Sequence, residues 1–229
     1  MHGGRKVICV ILARGGSKGV PRKNVKPLRG RPLITYSIDA AKKAPVIDEV
    51  LVSTDDAEIK KVAEGAGATV IDRPAELAGD NAAYIDALHH LLRSAGVKPD
   101  TLVVSLENTF PIRAPGDIER CVELCDDSVD CVASVTEVKV NPALMFRLQG
   151  EVMVPYDASL TPKNRQEMET LYAYTGSILV GSARFFMGQK SVAYGGRIKG
   201  YVMDERSSID IDTPLDFEIC EHIMGMSGR

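Results

Sequence analysis

The sequence predicts an α/β protein with a mostly parallel sheet and helices on both of its faces. Three observations lead there. Strand-like and helix-like segments alternate from Val7 to Val135. The strand segments are continuous apolar runs, as strands buried on both faces require, rather than one-sided alternations. Glycine-rich or polar segments come after the strand ends, and in open α/β sheets the ligand crevice lies there.

Val7 to Ala13 (VICVILA) reads as the first buried strand. After a loop rich in glycine and proline, Leu33 to Lys43 reads as a helix and Glu49 to Ser53 as the second strand. Asp55 and Glu58 make a D-x-x-E helix start. The helix they open carries Ile59, Val62, Ala63 and Ala66 at i, i+3, i+4, i+7. Ala68 to Ile71 is a short strand. Ala82 to Ser94 is a helix with Ile85, Leu88 and Leu92 on one face. Thr101 to Leu106 is a buried strand. Pro115 opens a helix with Ile118, Cys121, Val122 and Cys125 as its stripe. Cys131 to Val135 is the next strand.

The pattern changes from Val138 to Leu171. That segment is polar, holds Pro142, Pro155 and Pro162, and lacks a helical period. A long lid, a β-rich insertion and a dimer arm all fit it. Regular structure resumes with strands over Tyr174 to Val180 and Lys199 to Val202. Thr213-Pro214 then caps a last helix carrying Leu215, Ile219 and Ile223. With no repeat and no flexible linker, residues 1–229 read as one domain, with approximately 138–171 as its lid or arm.

Composition narrows the function. The 229 residues are 45% hydrophobic and 26% charged, with a formal net charge of −3. Bulk charge therefore gives no reason to expect nucleic acid or membrane as a partner. No apolar run approaches the roughly 20 residues that span a bilayer. The N-terminal run is not a signal peptide, so the expected location is the cytoplasm. The five cysteines are odd in number and irregular in spacing, and all sit in apolar runs. They read as core residues rather than disulfide or zinc partners. His2, His89, His90 and His222 lie outside the motifs and read as structural.

Two segments carry the chemistry. The first is Ala13-Arg14-Gly15-Gly16-Ser17-Lys18-Gly19-Val20-Pro21-Arg22-Lys23-Asn24. Glycines without Cβ atoms let backbone N–H groups approach a phosphate. Arg14, Lys18, Arg22 and Lys23 supply charge against a polyphosphate. The G-x-x-x-x-G-K-[ST] pattern is absent, so this is not a P-loop. The second is Ser208-Ile209-Asp210-Ile211-Asp212-Thr213-Pro214. On extended chain, i and i+2 share a face, so Asp210 and Asp212 point one way and the isoleucines the other. Two carboxylates at close range need a cation between them. Mg²⁺ carried by a nucleoside triphosphate is the natural one. Ser53-Thr54-Asp55-Asp56 combines helix capping with a position near a nucleotide. Arg73 to Ala82 (RPAELAGDNA) is a loop by composition.

Together these segments resemble the acylneuraminate cytidylyltransferase family, whose members make CMP-sialic acid and related CMP-nonulosonates. ARGGSKGVPRKN, VSTDD, RPAELAGD and SIDIDTPLDF stand in the family's order and spacing, from Val7 to about Cys220. The resemblance implies a Rossmann-like (GT-A-like) three-layer nucleotidyltransferase fold with a small dimerisation element, and action as a homodimer. It implies CTP and an anionic acceptor as substrates, a nonulosonic acid first among acceptors. Other acceptors, a phosphonate or a Kdo-like sugar, remain open, as does a non-catalytic nucleotide-binding protein. Arg14 and Lys23 match residues on the CTP phosphates, within the nucleotide-binding run Ala13, Arg14, Gly15, Gly16, Ser17, Lys18, Lys23 and Asn24. Arg73, Ala82 and Tyr84 match the surroundings of cytosine and ribose. Asp210 and Asp212 match the Mg²⁺ ligands, which makes Arg14, Lys23 and Asp212 the candidate catalytic set. Glu107, Thr109 and Arg165 match the acceptor side.

The acceptor side also departs from the family. Its usual L-Q-P-T-S-P-L-R is Leu106-Glu107-Asn108-Thr109-Phe110-Pro111-Ile112-Arg113 here, and its arginine-proline-asparagine-glycine is Ala173-Tyr174-Thr175-Gly176. An ionised Glu accepts hydrogen bonds but cannot donate them. Glu107 is thus expected to face donors on the acceptor, rather than to pair with Arg113 or Arg165 or to stay protonated. Phe110 is expected beside the acceptor.

Overall fold

The computed structural model describes residues 3–161, 164–191 and 195–226. The N-terminal part builds β1 (Val7–Leu12), the small β2 (Pro27–Leu28) and β3 (Arg31–Pro32), α1 (Leu33–Lys43), β4 (Glu49–Thr54), α2 (Ala57–Gly65), β5 (Thr69–Asp72), α3 (Tyr84–Ser94), β6 (Leu102–Leu106) and α4 (Asp117–Leu124). The rest builds β7 (Cys131–Glu137), β8 (Phe146–Gln149), β9 (Val152–Pro155), β10 (Tyr172–Ser182), α5 (Ala183–Gly188), β11 (Ile198–Val202) and α6 (Pro214–Met226).

Seven strands form the central sheet in the order β11-β7-β10-β6-β1-β4-β5. β10 alone runs antiparallel, paired with β6 on one side and β7 on the other. The remaining pairs are parallel. The expected mostly parallel sheet is therefore present, and its apolar runs are buried as expected. Val7, Cys9 and Ile11 face one core with Ile34, Ile38, Ile59 and Val122. Ile8 and Val10 face another with Leu88, Leu91, Leu92 and Phe186. Two apolar layers on opposite faces of one sheet make the three-layer architecture. All five cysteines are buried and free.

Three local expectations are corrected. The cap of α2 is Asp56, whose carboxylate accepts from Glu58 N and Ile59 N, and not Asp55. Gly116, at φ 89°, occupies the cap position of α4, so Pro115 precedes the helix instead of opening it. On α6 the expected stripe is not the core face: Leu215 is 63% exposed, while Phe217 and Cys220 are buried. They pack with Val20, Leu28, Leu33 and Ile211, which fastens the C-terminal helix to the chain after the glycine loop.

The segment read as a lid, a β-rich insertion or a dimer arm carries two strands among its described residues. β8 and β9 pair as an antiparallel hairpin apart from the main sheet. Leu148, Val152 and Met153 are exposed on it. Among the described residues, no helix is long and apolar enough to cross a membrane.

Candidate active site

The parallel strands β1, β4, β5 and β6 end at one edge of the sheet, and the loops leaving those four ends build the site together with the segment between β11 and α6. Ala13 continues β1 by donating its N–H to Ser53 O at 3.0 Å. The glycine loop then turns across the edge. Gly15 N donates to Asp55 Oδ1 at 3.0 Å. A Cβ on Gly15 would stand 2.8 Å from Asp56 Oδ2, and one on Gly19 would overlap the Asp212 carbonyl oxygen. Gly15 and Gly19 are thus required by the protein's own close approaches. Gly16 faces open space.

Buried amides hold the loop in place. Asn24 Nδ2 donates to Arg14 O at 2.8 Å, and Asn24 Oδ1 accepts from Asn108 Nδ2. Asn108 comes just after β6, so the glycine loop is tied to the centre of the sheet. The sequence offered no signal for Asn108.

The four loop cations separate. Arg14 Nη1 donates to Gly79 O at 3.1 Å and lies 3.2 Å from Asp80 Oδ1. Lys18 Nζ lies 2.8 Å from Asp80 Oδ2. The Lys18 hydrogen bond, first, holds the Asp80 carboxyl below its ordinary pKa. Lys23 Nζ donates to Ile211 O at 2.5 Å and sits 3.2 Å from Asp212 Oδ1. Arg22, expected to face a polyphosphate, does not line the crevice. It has a left-handed backbone and pairs with Asp56 and Glu58 at the start of α2.

Asp210 and Asp212 stand outside regular structure before α6, with Ile211 wholly buried between them. Ile211 N donates to Thr109 O at 2.9 Å, which hangs this segment on the loop after β6. Asp210 Oδ1 is buried with no hydrogen-bond partner. Burial raises the Asp210 pKa, Thr109 opposes that through a hydrogen bond, and Asp212 adds to it. A buried, unpartnered carboxylate oxygen beside a second carboxylate fits a hard cation with oxygen ligands. Asp216 completes the segment as a reciprocal helix cap: its Oδ2 accepts from Thr213 N at 2.7 Å, and its N–H donates to Thr213 Oγ1 at 3.3 Å.

Two cavities share this edge. One, about 300 Å³, is lined by Arg14, Ser17, Lys18, Lys23, Thr109 and Asp212, among others. The other, about 230 Å³, is lined by Arg73, Gly79, Asp80, Ala82, Tyr84 and Ala87, among others. Leu12, Arg14 and Glu107 line both. Arg73 is buried, with Nε 3.1 Å from Ser53 Oγ and Nη2 2.8 Å from Ser53 O. Burial lowers its pKa. Tyr84 Oη is hydrogen-bonded to Ser105 Oγ. A larger cavity of about 410 Å³ lies between α1 and the start of α4, but holds none of the glycine loop or the paired acids.

Glu107 stands at the mouth of β6. Arg113 does not pair with its carboxylate: Arg113 Nη2 donates to the Glu107 carbonyl oxygen and, at 3.2 Å, to Ser177 O. Burial pushes the Glu107 pKa up to about 7, Asp210 adds to the rise, and Arg113, Lys23 and Arg73 oppose it. Phe110 lines neither of these two cavities. It is 2% exposed and belongs to the core. The Arg165 side chain lies outside the described residues. His89 is structural as expected, with Nε2 2.8 Å from Phe186 O.

A model of the family described as cytidylyltransferase matches residues 8–222. The chain belongs to this family. Among curated relatives, it is 33% identical over 227 residues to the post-translational flagellin modification protein B of Campylobacter coli, covering 96% of this chain and 95% of that one. It is 31% identical to the CMP-N,N'-diacetyllegionaminic acid synthase of Legionella pneumophila, covering 97% of each. It is 33% identical to the N-acylneuraminate cytidylyltransferase of Streptococcus agalactiae serotype V, but spans 53% of that protein's length. Among solved structures, a CMP:2-keto-3-deoxy-manno-octonic acid synthetase complexed with CTP superposes with a TM-score of 0.74 at 18% identity, over 97% of this chain and 99% of that one. A 4-diphosphocytidyl-2C-methyl-D-erythritol synthase gives 0.72 at 13%, over 96% and 98%. At those identities the likeness is one of fold, the α/β nucleotidyltransferase fold that the sequence led us to expect.

Proposed function

We propose that this cytidylyltransferase moves CMP from CTP onto an anionic acceptor, a nonulosonic (sialic acid-like) sugar acid, and releases pyrophosphate. The observation that carries the reading is the pair of joined cavities. One is lined by the loop cations and Asp212, as a triphosphate needs. The other is lined by Arg73, Ala82 and Tyr84, as a nucleoside needs. The named relatives supply the class of acceptor.

In this reading, an acceptor oxygen attacks the α-phosphorus in line. The bond to the β-phosphate breaks, and pyrophosphate carries the electron pair away. Such transfers depend on positioning and on charge neutralisation. Arg14, Lys18 and Lys23 hold the triphosphate, with loop N–H groups from Gly16 to Gly19 beside them. Arg14 and Lys18 exchange Asp80 for phosphate as CTP enters. Asp210 and Asp212 would hold Mg²⁺, which supplies positive charge to phosphate oxygens and acidifies a hydroxyl beside it. Thr109 and Arg165 face the acceptor. We assign the reaction to the cytoplasm, the compartment of CTP.

We also propose a homodimer joined through the β8–β9 arm. Its support is the exposed apolar surface of Leu148, Val152 and Met153, which a second copy would cover. A phosphonate or Kdo-like acceptor is the second reading, favoured by the changed run from Glu107 to Phe110.

The test is a panel of acceptors with CTP and Mg²⁺: sialic, legionaminic, pseudaminic and Kdo-like acids, and phosphonates. Pyrophosphate release and product mass are read together. A CMP-nonulosonate product is expected. A CMP-phosphonate would move the assignment to the second reading, and CTP binding with no turnover would remove the enzymatic one.

A further inference from the structure

We propose that Glu107 is the general base of the transfer, taking the proton of the attacking acceptor hydroxyl. The inference rests on the CMP-transfer reading above. Glu107 lines both cavities, and the junction of a nucleoside cavity with a triphosphate cavity is where the α-phosphorus must lie. Of the other residues at the junction, Leu12 is apolar and Arg14 is a cation bound to Asp80. Among the described residues that line both cavities, Glu107 is thus the one able to accept a proton.

Its placement is stiff. Glu107 N donates to Ser177 O at 3.3 Å, and its carbonyl oxygen accepts from Arg113. Among the described residues, its carboxylate makes no hydrogen bond or ion pair. The cations that face it are committed elsewhere. Arg73, from the loop after β5, holds Ser53. Lys23, from the glycine loop, holds Ile211 O and Asp212. Arg113, from the loop before α4, holds backbone carbonyls and Ser37 Oγ. Asp210 from the acid segment and Tyr84 from α3 also face it, and neither offers it a proton in the structure.

A half-buried carboxylate with no donor from its own chain takes one from a ligand. The triphosphate offers none. The ribose hydroxyls and the base amine, in the nucleoside cavity that Glu107 also lines, keep their protons through the transfer. The donor that must reach the phosphorus is the attacking hydroxyl. Its O–H bond breaks as its oxygen bonds to the phosphorus, the proton passes to a Glu107 carboxylate oxygen, and the electron pair of the broken Pα–O bond leaves with pyrophosphate. Burial keeps this carboxyl's pKa near neutrality, which suits a base that must also give its proton back to water. The glutamine usual at this position in the related enzymes could accept a hydrogen bond, but not the proton.

The experiment compares the full-length parent with Glu107→Gln and Glu107→Asp, using CTP and the best acceptor of the panel. Glu107→Gln is expected to lose on the order of 10²-fold in kcat, the lower end for removal of a general base. Its CTP affinity, measured by calorimetry on the same sample, stays within about twofold. The decline of kcat toward low pH, present in the parent, disappears. Glu107→Asp keeps that decline at a lower kcat, and its loss there would overturn the proposal even if Glu107→Gln failed to fold. A Glu107→Gln enzyme with parental kcat, or with its whole loss in KM for CTP or acceptor, also overturns it and makes Glu107 a binding residue. If the parent turns over no acceptor while still binding CTP, the transfer reading fails and the inference falls with it. Turnover by the parent with an indifferent Glu107→Gln removes the inference alone.

Discussion

Gly19 packs against Asp212 so closely that no Cβ fits between them: the atom would overlap the Asp212 carbonyl oxygen. Beside this contact, Lys23 Nζ donates to Ile211 O at 2.5 Å. The glycine loop and the paired acids, 193 positions apart in sequence (212 minus 19), are therefore held in direct contact. Gly19→Ala must push them apart. We expect at least about a tenfold loss in kcat/KM, roughly 1.4 kcal/mol of transition-state stabilisation, with the fold retained. Parental kinetics in the alanine variant, beside an unchanged melting curve, would show that the contact does not matter.

Asp212→Asn is expected to abolish Mg²⁺-dependent turnover and leave the protein folded. Asp212 has a side chain 73% exposed, so its change costs the core little. Loss of a metal ligand should cost several kcal/mol, roughly 10²-fold or more in rate. Activity is titrated against Mg²⁺ for parent and variant. Near-parental activity at low Mg²⁺ would remove the metal assignment.

Base choice should be strict, with CTP turned over far faster than UTP, ATP or GTP. Arg73 is fixed to Ser53 and Tyr84 to Ser105, so the polar walls of the cavity proposed for the nucleoside are held by the protein itself. A base that leaves buried polar groups unpaired is rejected. Initial rates with the four nucleotides decide it, and equal rates for CTP and UTP would count against the assignment.

Glu107 also predicts a pH dependence of stability. Its folded pKa, about 7, lies above the ordinary glutamate value near 4.3. The folded state therefore binds more protons than the unfolded state between those values, and stability falls as pH rises through that window. Below it the burden is absent, and above about pH 7 it is complete. Glu107→Gln removes it. The variant should gain on the parent between pH 4 and 8, by on the order of 2 kcal/mol. Urea unfolding at both pH values measures the gap. A gap that is equal at both would mean the carboxyl is not held near neutrality.

Asp56→Ala should destabilise the fold by about 1–2 kcal/mol, as loss of a helix cap does. Asp55→Ala should cost less, because Asp55 caps no helix and accepts from Gly15 N. Thermal melts of the two variants rank them. The reverse order would restore Asp55 as the helix start.

The pair Asp55 and Asp56 shows where sequence reading stops. Both acids precede a helical stripe, and D-x-x-E chose Asp55. Which one caps depends on where β4 ends, and the β4–β5 pairing extends β4 one residue past Ser53, to Thr54. Phe110 shows the same limit from the other side. Its motif placed it beside the acceptor, but the chain turns after Thr109 and buries the ring. Arg22 lies among three other cations in one loop, and its left-handed backbone sends it to α2 instead of the crevice.

By itself the sequence determined the apolar strands of the main sheet, the helices α1 to α4 and α6, and the two motifs. Burial on both faces of a parallel strand leaves an unbroken apolar run, and a phosphate loop needs glycine and cations close together in the chain. Those are local demands, and local residues record them. Only the tertiary structure decided which charges stay free for a ligand. Asp80 holds Arg14 and Lys18, Asn108 fixes Asn24, and Arg113 holds the backbone of Glu107 while leaving its carboxylate unbonded. The first two join groups from different loops, while Arg113 and Glu107 share the loop after β6 and meet because that loop folds back on itself. An ion pair or hydrogen bond between distant segments leaves no spacing in the sequence, because folding, not chain order, sets the distance between its partners.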